Sequence, residues 1–202
     1  MSSQAIIDRL GGRNLEQIVP AQFRERFGLS VPGQYGMVCG DVAAEIRQLE
    51  ALGSTPFLHA HMGAPNWTEQ GVKKDVRVEM SMGYVGAEQI EVLGAGENTD
   101  FYTAKIPADG SLTLHHACCF ENNIEELKQT LPAAGYPLYL EGGVNMGFLS
   151  TYFAYFDTRE ELGLWLEIGQ YRLLGRHRPP TEKFITRLAG LQRRFGSKEE
   201  SG

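Results

Sequence analysis

From about residue 30 onward, apolar positions switch twice between two periods. A short apolar strand opens "QYGMVCGDVAAEIRQLEALG" (34–53), and apolar residues then recur at helical spacing, with Val42 and Leu49 on one stripe. The period then becomes two, through "TPFLHAH", "VRVEMSMGYVG" and "QIEVLGA". The same order returns in "HACCFENNIEELKQTLPAAG" (116–135), followed by "YPLYLEG", "FLSTYFAYFDT" and "LWLEIGQ". Laid one above the other, Gln34 falls on His116, Val42 on Ile124, Leu49 on Leu131 and Gly53 on Gly135 without a gap. Asp41 and Asn123 are the expected helix caps, Asn123 with Glu126 as a capping box, and the two glycines are the expected stops. Turns are expected at "GAPN" and "GAE" in the first copy, and at "EGG" and "DTREELG" in the second.

Such an internal repeat dictates an α+β fold: two tandem βαβββ modules forming a curved mixed sheet, with helical extensions at both ends. The boundaries read as a helical N-terminal extension (1–29, broken near Pro20), a first module (30–95), a polar connector (96–111), a second module (112–173) and a C-terminal helix and tail (174–202). After Pro179 and Pro180, Thr181 is a cap for a helix carrying Phe184, Leu188, Leu191 and Phe195 at helical spacing. Lys183, Arg187, Arg193 and Arg194 on that helix read as a solvated face, and "GSKEESG" as a disordered tail.

Composition narrows the partners. A net charge of −6 and a pI near 5.4 argue against nucleic acid. No apolar run reaches membrane-spanning length, and "MSSQAIIDRLGGRN" lacks the order of a secretory signal. Three cysteines form no disulfide framework, so a cytoplasmic chain is expected.

The chemistry gathers at "SLTLHHACCF" (111–120) and at two glutamates. Glu91 stands between Ile90 and Val92, and Glu167 between Leu166 and Ile168, each on the last strand of a module. If the apolar neighbours face helices, both carboxylates face a cavity, where charge is costly unless paired or bound to metal. The paired layout resembles the vicinal oxygen chelate superfamily, which includes glyoxalase I, methylmalonyl-CoA epimerase, extradiol dioxygenases and the bleomycin and fosfomycin resistance proteins. The resemblance spans about residues 33–170. It implies one metal cavity between the modules, with ligands from the first and last strand of each.

Those strands supply Gln34, Glu91, His116 and Glu167, in the order of the glyoxalase I set of animals. The resemblance also implies that Glu167 is a base that removes a proton, with Glu91 as its catalytic partner on the opposite face. His115 is expected on the far face as a structural residue. Cys118 shares the face of His116, either as a cavity-lining residue or as a small filler, and Cys39 and Cys119 read as fillers.

One nitrogen and three oxygen donors suit a divalent metal ion such as Zn²⁺, Ni²⁺, Co²⁺ or Mn²⁺. "LHAH" places His59 and His61 on one face of a strand, where the resemblance implies substrate contacts. Trp67, Phe148, Tyr152, Phe153, Tyr155 and Phe156 offer an aromatic wall, Trp67 and Tyr152 being the expected contacts, or else core packing. The expected function is a metal-dependent lyase or isomerase of the glyoxalase type, moving a proton α to a carbonyl of a small substrate with vicinal oxygens. Alternatives are a binding protein for a small hydrophobic molecule and an Fe(II) ring-cleaving dioxygenase. A homodimer is expected because two curved modules leave open sheet edges.

Overall fold

Each repeat folds as one half of a closed sheet in the computed structural model, which describes residues 14–145 and 149–196. Helices α1 (Leu15–Ile18) and α2 (Ala21–Phe27) precede the first module: β1 (Gln34–Val38), α3 (Val42–Ala51), β2 (Leu58–Glu69), β3 (Val72–Val85) and β4 (Glu88–Glu97). A 3-10 turn (Thr103–Lys105) leads to the second: β5 (Thr113–Phe120), α4 (Ile124–Ala133), β6 (Leu138–Asn145), β7 (Leu149–Phe156), the short α5 (Arg159–Leu162) and β8 (Trp165–Leu173). The two-residue β9 (Arg176–His177) and helix α6 (Glu182–Gly196) complete the described chain.

Local signals account for most boundaries. Asp41 Oδ1 accepts from the Ala44 N–H (2.8 Å), a cap worth about 0.5–2 kcal/mol. Asn123 departs from the expected capping box. Its side-chain amide donates to the Glu126 carboxylate (3.1 Å), and it makes no cap bond to the backbone. Gly53 and Gly135 follow their helices with φ of 98° and 97°, which favours glycine.

Two expected turns are not turns. "GAPN" lies inside β2, where the register with β3 shifts between Ala64 and Trp67 as a bulge. The hairpin instead reverses at Gln70 and Gly71, both with positive φ (48° and 78°), which matches strand twist. "EGG" likewise lies within β6.

The strand order β5-β1-β4-β3-β2-β6-β7-β8, with β5 also paired to β8, closes eight strands into a barrel, and β9 adds to β8. β1 joins β5 antiparallel along five register pairs, and β2 joins β6 antiparallel at Thr68 and Glu69. Both joints lie within one chain, so the sheet edges that motivated the expected dimer are paired internally. One core lies outside the sheet. Tyr35, Met37, Ile90, Val92, Leu166 and Ile168 pack there with Val42, Ile46, Leu49, Leu127 and Leu131 of the helices. A second cluster fills part of the barrel interior.

The connector is a correction to its polar reading: Phe101 and Tyr102 are buried inside the barrel, edge-on to one another and to His115 and Trp67. α6 lies against β2 and β3. Gln192 gives β2 a partial sheet partner, its Oε1 accepting from the His59 N–H (2.8 Å) and its Nε2 donating to the His59 carbonyl (2.7 Å). The Thr181 hydroxyl accepts from the Phe184 N–H (3.4 Å) at the helix start, as the sequence predicts. Among the described residues no helix is long and apolar enough to cross a membrane.

Candidate metal centre

β4 and β5 both flank β1, so their backbones stand roughly 10 Å apart at the usual strand spacing. Side chains from them meet only if β1 leaves room. Gly36 pairs with Glu91 on one side and His116 on the other. A Cβ at Gly36 would fall 1.8 Å from Cε1 of His116, so the imidazole lies over the glycine in the space of a side chain. His116 Nε2 therefore sits 3.3 Å from Glu91 Oε2 and 2.9 Å from Glu167 Oε2. The three residues are buried, and their ligand atoms all lie within 4.8 Å of one another. Gly36 was missed in the sequence, although a glycine inside the strand "QYGMV" is the signal of a close approach.

By distance the imidazole is an ion-pair partner of both carboxylates, but neither contact has hydrogen-bond geometry, and His116 Nε2 and Glu167 Oε2 are both buried without a hydrogen bond. Buried polar atoms that converge without a hydrogen bond call for an explanation, and a cation among them supplies one. Ligand atoms about 2.1 Å from one ion at right angles stand about 3 Å apart, close to what is seen. The donor set of one imidazole and two carboxylates fits a divalent ion.

His115 does not point to the far face as expected. The β1–β5 register slips so that Gly36 faces His116 while Met37 faces Leu114, leaving His115 as the extra residue of a bulge. Both rings turn into the barrel, Nδ1 to Nδ1 at 3.1 Å, and His115 Nε2 lies 3.2 Å from the Phe101 carbonyl. A carbonyl can only accept, so Nε2 of His115 carries the proton. Its Nδ1 is then the acceptor, and the Nδ1–H of His116 donates to it. His116 Nε2 is thereby turned toward the two carboxylates.

Electrostatics follow from burial and neighbours. Burial, with the adjacent His116, holds His115 well below the usual imidazole range. Burial works against a charged His116 too, but the nearness of Glu167 and Glu91 outweighs it and raises the imidazole to about 9. Burial raises Glu91, and Glu167 adds to the rise.

Gln34 takes the place in β1 that His116 takes in β5, buried on the inner face. Its Nε2 donates to Gln89 Oε1 (3.0 Å), while Gln89 Nε2 is buried without a partner. Cys118 is buried beside Glu167 in the β5–β8 register but does not line the cavity.

That cavity, about 440 Å³, adjoins the triad, and of the three ligand candidates only Glu167 lines it. Trp67, Tyr102, Phe153, Tyr155 and Tyr171 contribute rings, and Phe184, Ile185 and Leu188 of α6 close it. The hydroxyls of Tyr102 and Tyr155 are 3.1 Å apart, and burial followed by the Glu91 and Glu167 charges raises both tyrosines well above their usual range. Tyr102 and Tyr171 were not singled out in the sequence. The inward alternation of β8 from Glu167 would have found Tyr171.

Other expected contacts lie elsewhere. β2 lines the cavity through Leu58, Ala60 and Trp67, so His59 is on the opposite face, its Nδ1 2.8 Å from Ser81 Oγ. β7 lines it through Thr151, Phe153 and Tyr155, which leaves Tyr152 outside, 39% exposed, and Phe156 in the outer core. The side chain of His61, and Phe148, lie outside the described residues.

The sequence profile of the Glyoxalase/Bleomycin resistance protein/Dioxygenase superfamily matches residues 33–155. No curated protein matches the sequence. Among solved structures, methylmalonyl-CoA epimerase from Mycobacterium tuberculosis is similar at 15% identity and a TM-score of 0.46, over 68% of this chain and 85% of the epimerase. A 4-hydroxymandelate synthase variant from Streptomyces coelicolor is similar at 10% identity and a TM-score of 0.47, over 82% of this chain and 56% of the synthase. A glyoxalase family protein from Bacillus cereus is similar at 18% identity and a TM-score of 0.26, over 69% and 92%. With more than half of its length matched by that profile, the chain belongs to the Glyoxalase/Bleomycin resistance protein/Dioxygenase superfamily.

Proposed function

We propose that the chain is a metal-dependent isomerase or lyase that moves a proton α to a carbonyl in an apolar substrate with vicinal oxygens. The observation that carries this reading is the convergence, without a hydrogen bond, of His116 Nε2 and Glu167 Oε2, with Glu91 beside them, at the edge of a largely apolar cavity. Glu91, His116 and Glu167 would hold a divalent ion of the Zn²⁺, Ni²⁺, Co²⁺ or Mn²⁺ type, with the oxygen of Gln34 as the fourth donor. When bound, such an ion would supply Lewis-acid chemistry toward a substrate carbonyl. The set has one nitrogen donor where an Fe(II) facial triad has two, which favours proton transfer over ring cleavage.

The chain's residues would divide the remaining work. Glu167 borders both the ion site and the cavity, so its carboxylate is the base that takes the α-proton. Glu91 does not line the cavity, and its part is to hold the ion. The paired hydroxyls of Tyr102 and Tyr155 face the same space and are protonated at neutral pH, so they are the donors for a substrate oxygen that gains charge. His115 orients His116, and such outer partners are worth about 10–100-fold in metal affinity. The aromatic and aliphatic walls exclude water from the reacting carbon. Glu91, His116 and Glu167 all come from one chain.

The test uses 2-hydroxyacetophenone, an apolar ring beside a carbonyl and hydroxyl. Zinc-, nickel-, cobalt- or manganese-loaded protein should exchange its α-protons with deuterium oxide, and chelator-treated protein should not. Equal exchange with and without metal would contradict the proposal.

A further inference from the structure

The cavity carries information about the far end of its ligand. Among the described residues, two of its lining side chains bear formal charge, Glu167 and Arg178. β8 sets their separation. Glu167, Tyr171 and Leu173 line the cavity along it, and the Arg178 N–H donates to the Tyr171 carbonyl (2.9 Å). Arg178 thus joins the wall four residues along the strand from Glu167, about 13 Å at the usual rise per residue. The other described lining side chains, Trp67, Met80, Met82, Phe153, Phe184 and Leu188 among them, bear no formal charge.

Arg178 is exposed, and its guanidinium pairs with no carboxylate among the described residues. That is notable in a chain of net charge −6, where carboxylates outnumber basic groups. A free guanidinium at the rim of an apolar cavity is a fork for a carboxylate or phosphate. The volume of about 440 Å³ takes roughly 15 non-hydrogen atoms at about 30 Å³ each, the share of a water molecule in the liquid.

We infer that the substrate is an amphiphilic anion. It would have neighbouring oxygens at the Glu167 end, an apolar body about a dozen atoms long, and a carboxylate or phosphate against Arg178. The chelated end rests on the proposed metal centre; the anionic end does not.

The test is calorimetric binding of dodecanoate, dodecyl phosphate and dodecanol to the metal-loaded protein, to chelator-treated protein, and to Arg178→Gln. One or both anions should bind about 10–100-fold more tightly than the alcohol, the range of a charge-assisted contact. Arg178→Gln should remove that preference and leave dodecanol unchanged, because the exposed side chain supports no packing. Equal affinity for alcohol and anions overturns the inference. A preference that survives in Arg178→Gln but vanishes with chelation also overturns it, since the anion then sits on the metal, and the proposed metal centre stands. A preference lost in Arg178→Gln, in a protein that takes up no metal, upholds the anionic end and sinks the metal reading instead.

Discussion

The two modules reach the centre through equivalent strands but contribute unequally. On β5 the inward residue is His116, held by His115 from a bulge; on β1 the equivalent residue is Gln34, tied to Gln89 on regular strand. β8 offers a carboxylate that borders the cavity, while that of β4 does not. Beside Glu91, the first module adds clearance at the centre, the missing side chain of Gly36 that lets His116 lean across toward Glu91. A repeated fold thus supplies position twice, while the proposed base lies in one copy and the clearance for His116 in the other.

The sharpest way to test that asymmetry is to remove each carboxylate's charge. Glu167→Gln should keep its metal, because an amide oxygen still ligates, yet lose α-proton exchange by about 10²–10⁴-fold. Glu91→Gln should lose exchange only in proportion to lost metal, and excess metal should restore it. Matching behaviour of the two variants in deuterium exchange at saturating metal would erase the distinction between the modules.

Gly36→Ala tests the clearance. The added methyl must displace the His116 ring, and zinc affinity measured by competition with a chromophoric chelator should fall by about 100-fold or more. Stability should drop by about 1–3 kcal/mol in urea melts, the usual cost of overpacking. Unchanged zinc affinity would show that the ring does not need this space.

The bulge is tested next. His115→Phe keeps the ring but removes the acceptor for His116 Nδ1–H, so zinc affinity should fall about 10–100-fold. His115→Asn restores an acceptor oxygen near the Nδ1 position and should recover most of it. Nitrogen-15 NMR of the metal-free protein should show His115 protonated at Nε2. Equal affinity in the Phe variant and the wild type would reduce His115 to packing.

A smaller and graded effect comes from pH. His116 is raised to about 9, so at neutral pH a metal must displace its proton. Apparent zinc affinity should rise by about tenfold per pH unit toward 9 and flatten above it, where the imidazole is already neutral. A flat profile from pH 7 to 9 in calorimetry would mean that His116 is not the proton being displaced.

Periodicity made the modules legible, and alternation around Glu91, His116 and Glu167 put the three candidates on the inner face, because face assignment in a regular strand follows from counting by two. Counting fails wherever a bulge adds a residue. That is why His115 was assigned to the wrong face, and why "GAPN" looked like a turn when β2 absorbs it. His59 and Tyr152 met a different limit: alternation separates the two faces of a strand but does not name the inner one. Phe101 and Tyr102 were hidden by polar neighbours in a segment read as a linker, and their burial is a tertiary event. Gly36 was visible as a glycine in a strand, but the ring it accommodates comes from another module.

The central claim is that Glu91, His116 and Glu167 hold one divalent ion. It is tested most directly by elemental analysis and calorimetry of the full chain after loading with zinc, nickel, cobalt or manganese. The account predicts one ion per chain in the wild type, with affinity lowered more than about 100-fold in His116→Ala. A wild type that takes up none of the four ions, or a His116→Ala variant that binds them as tightly, would contradict it.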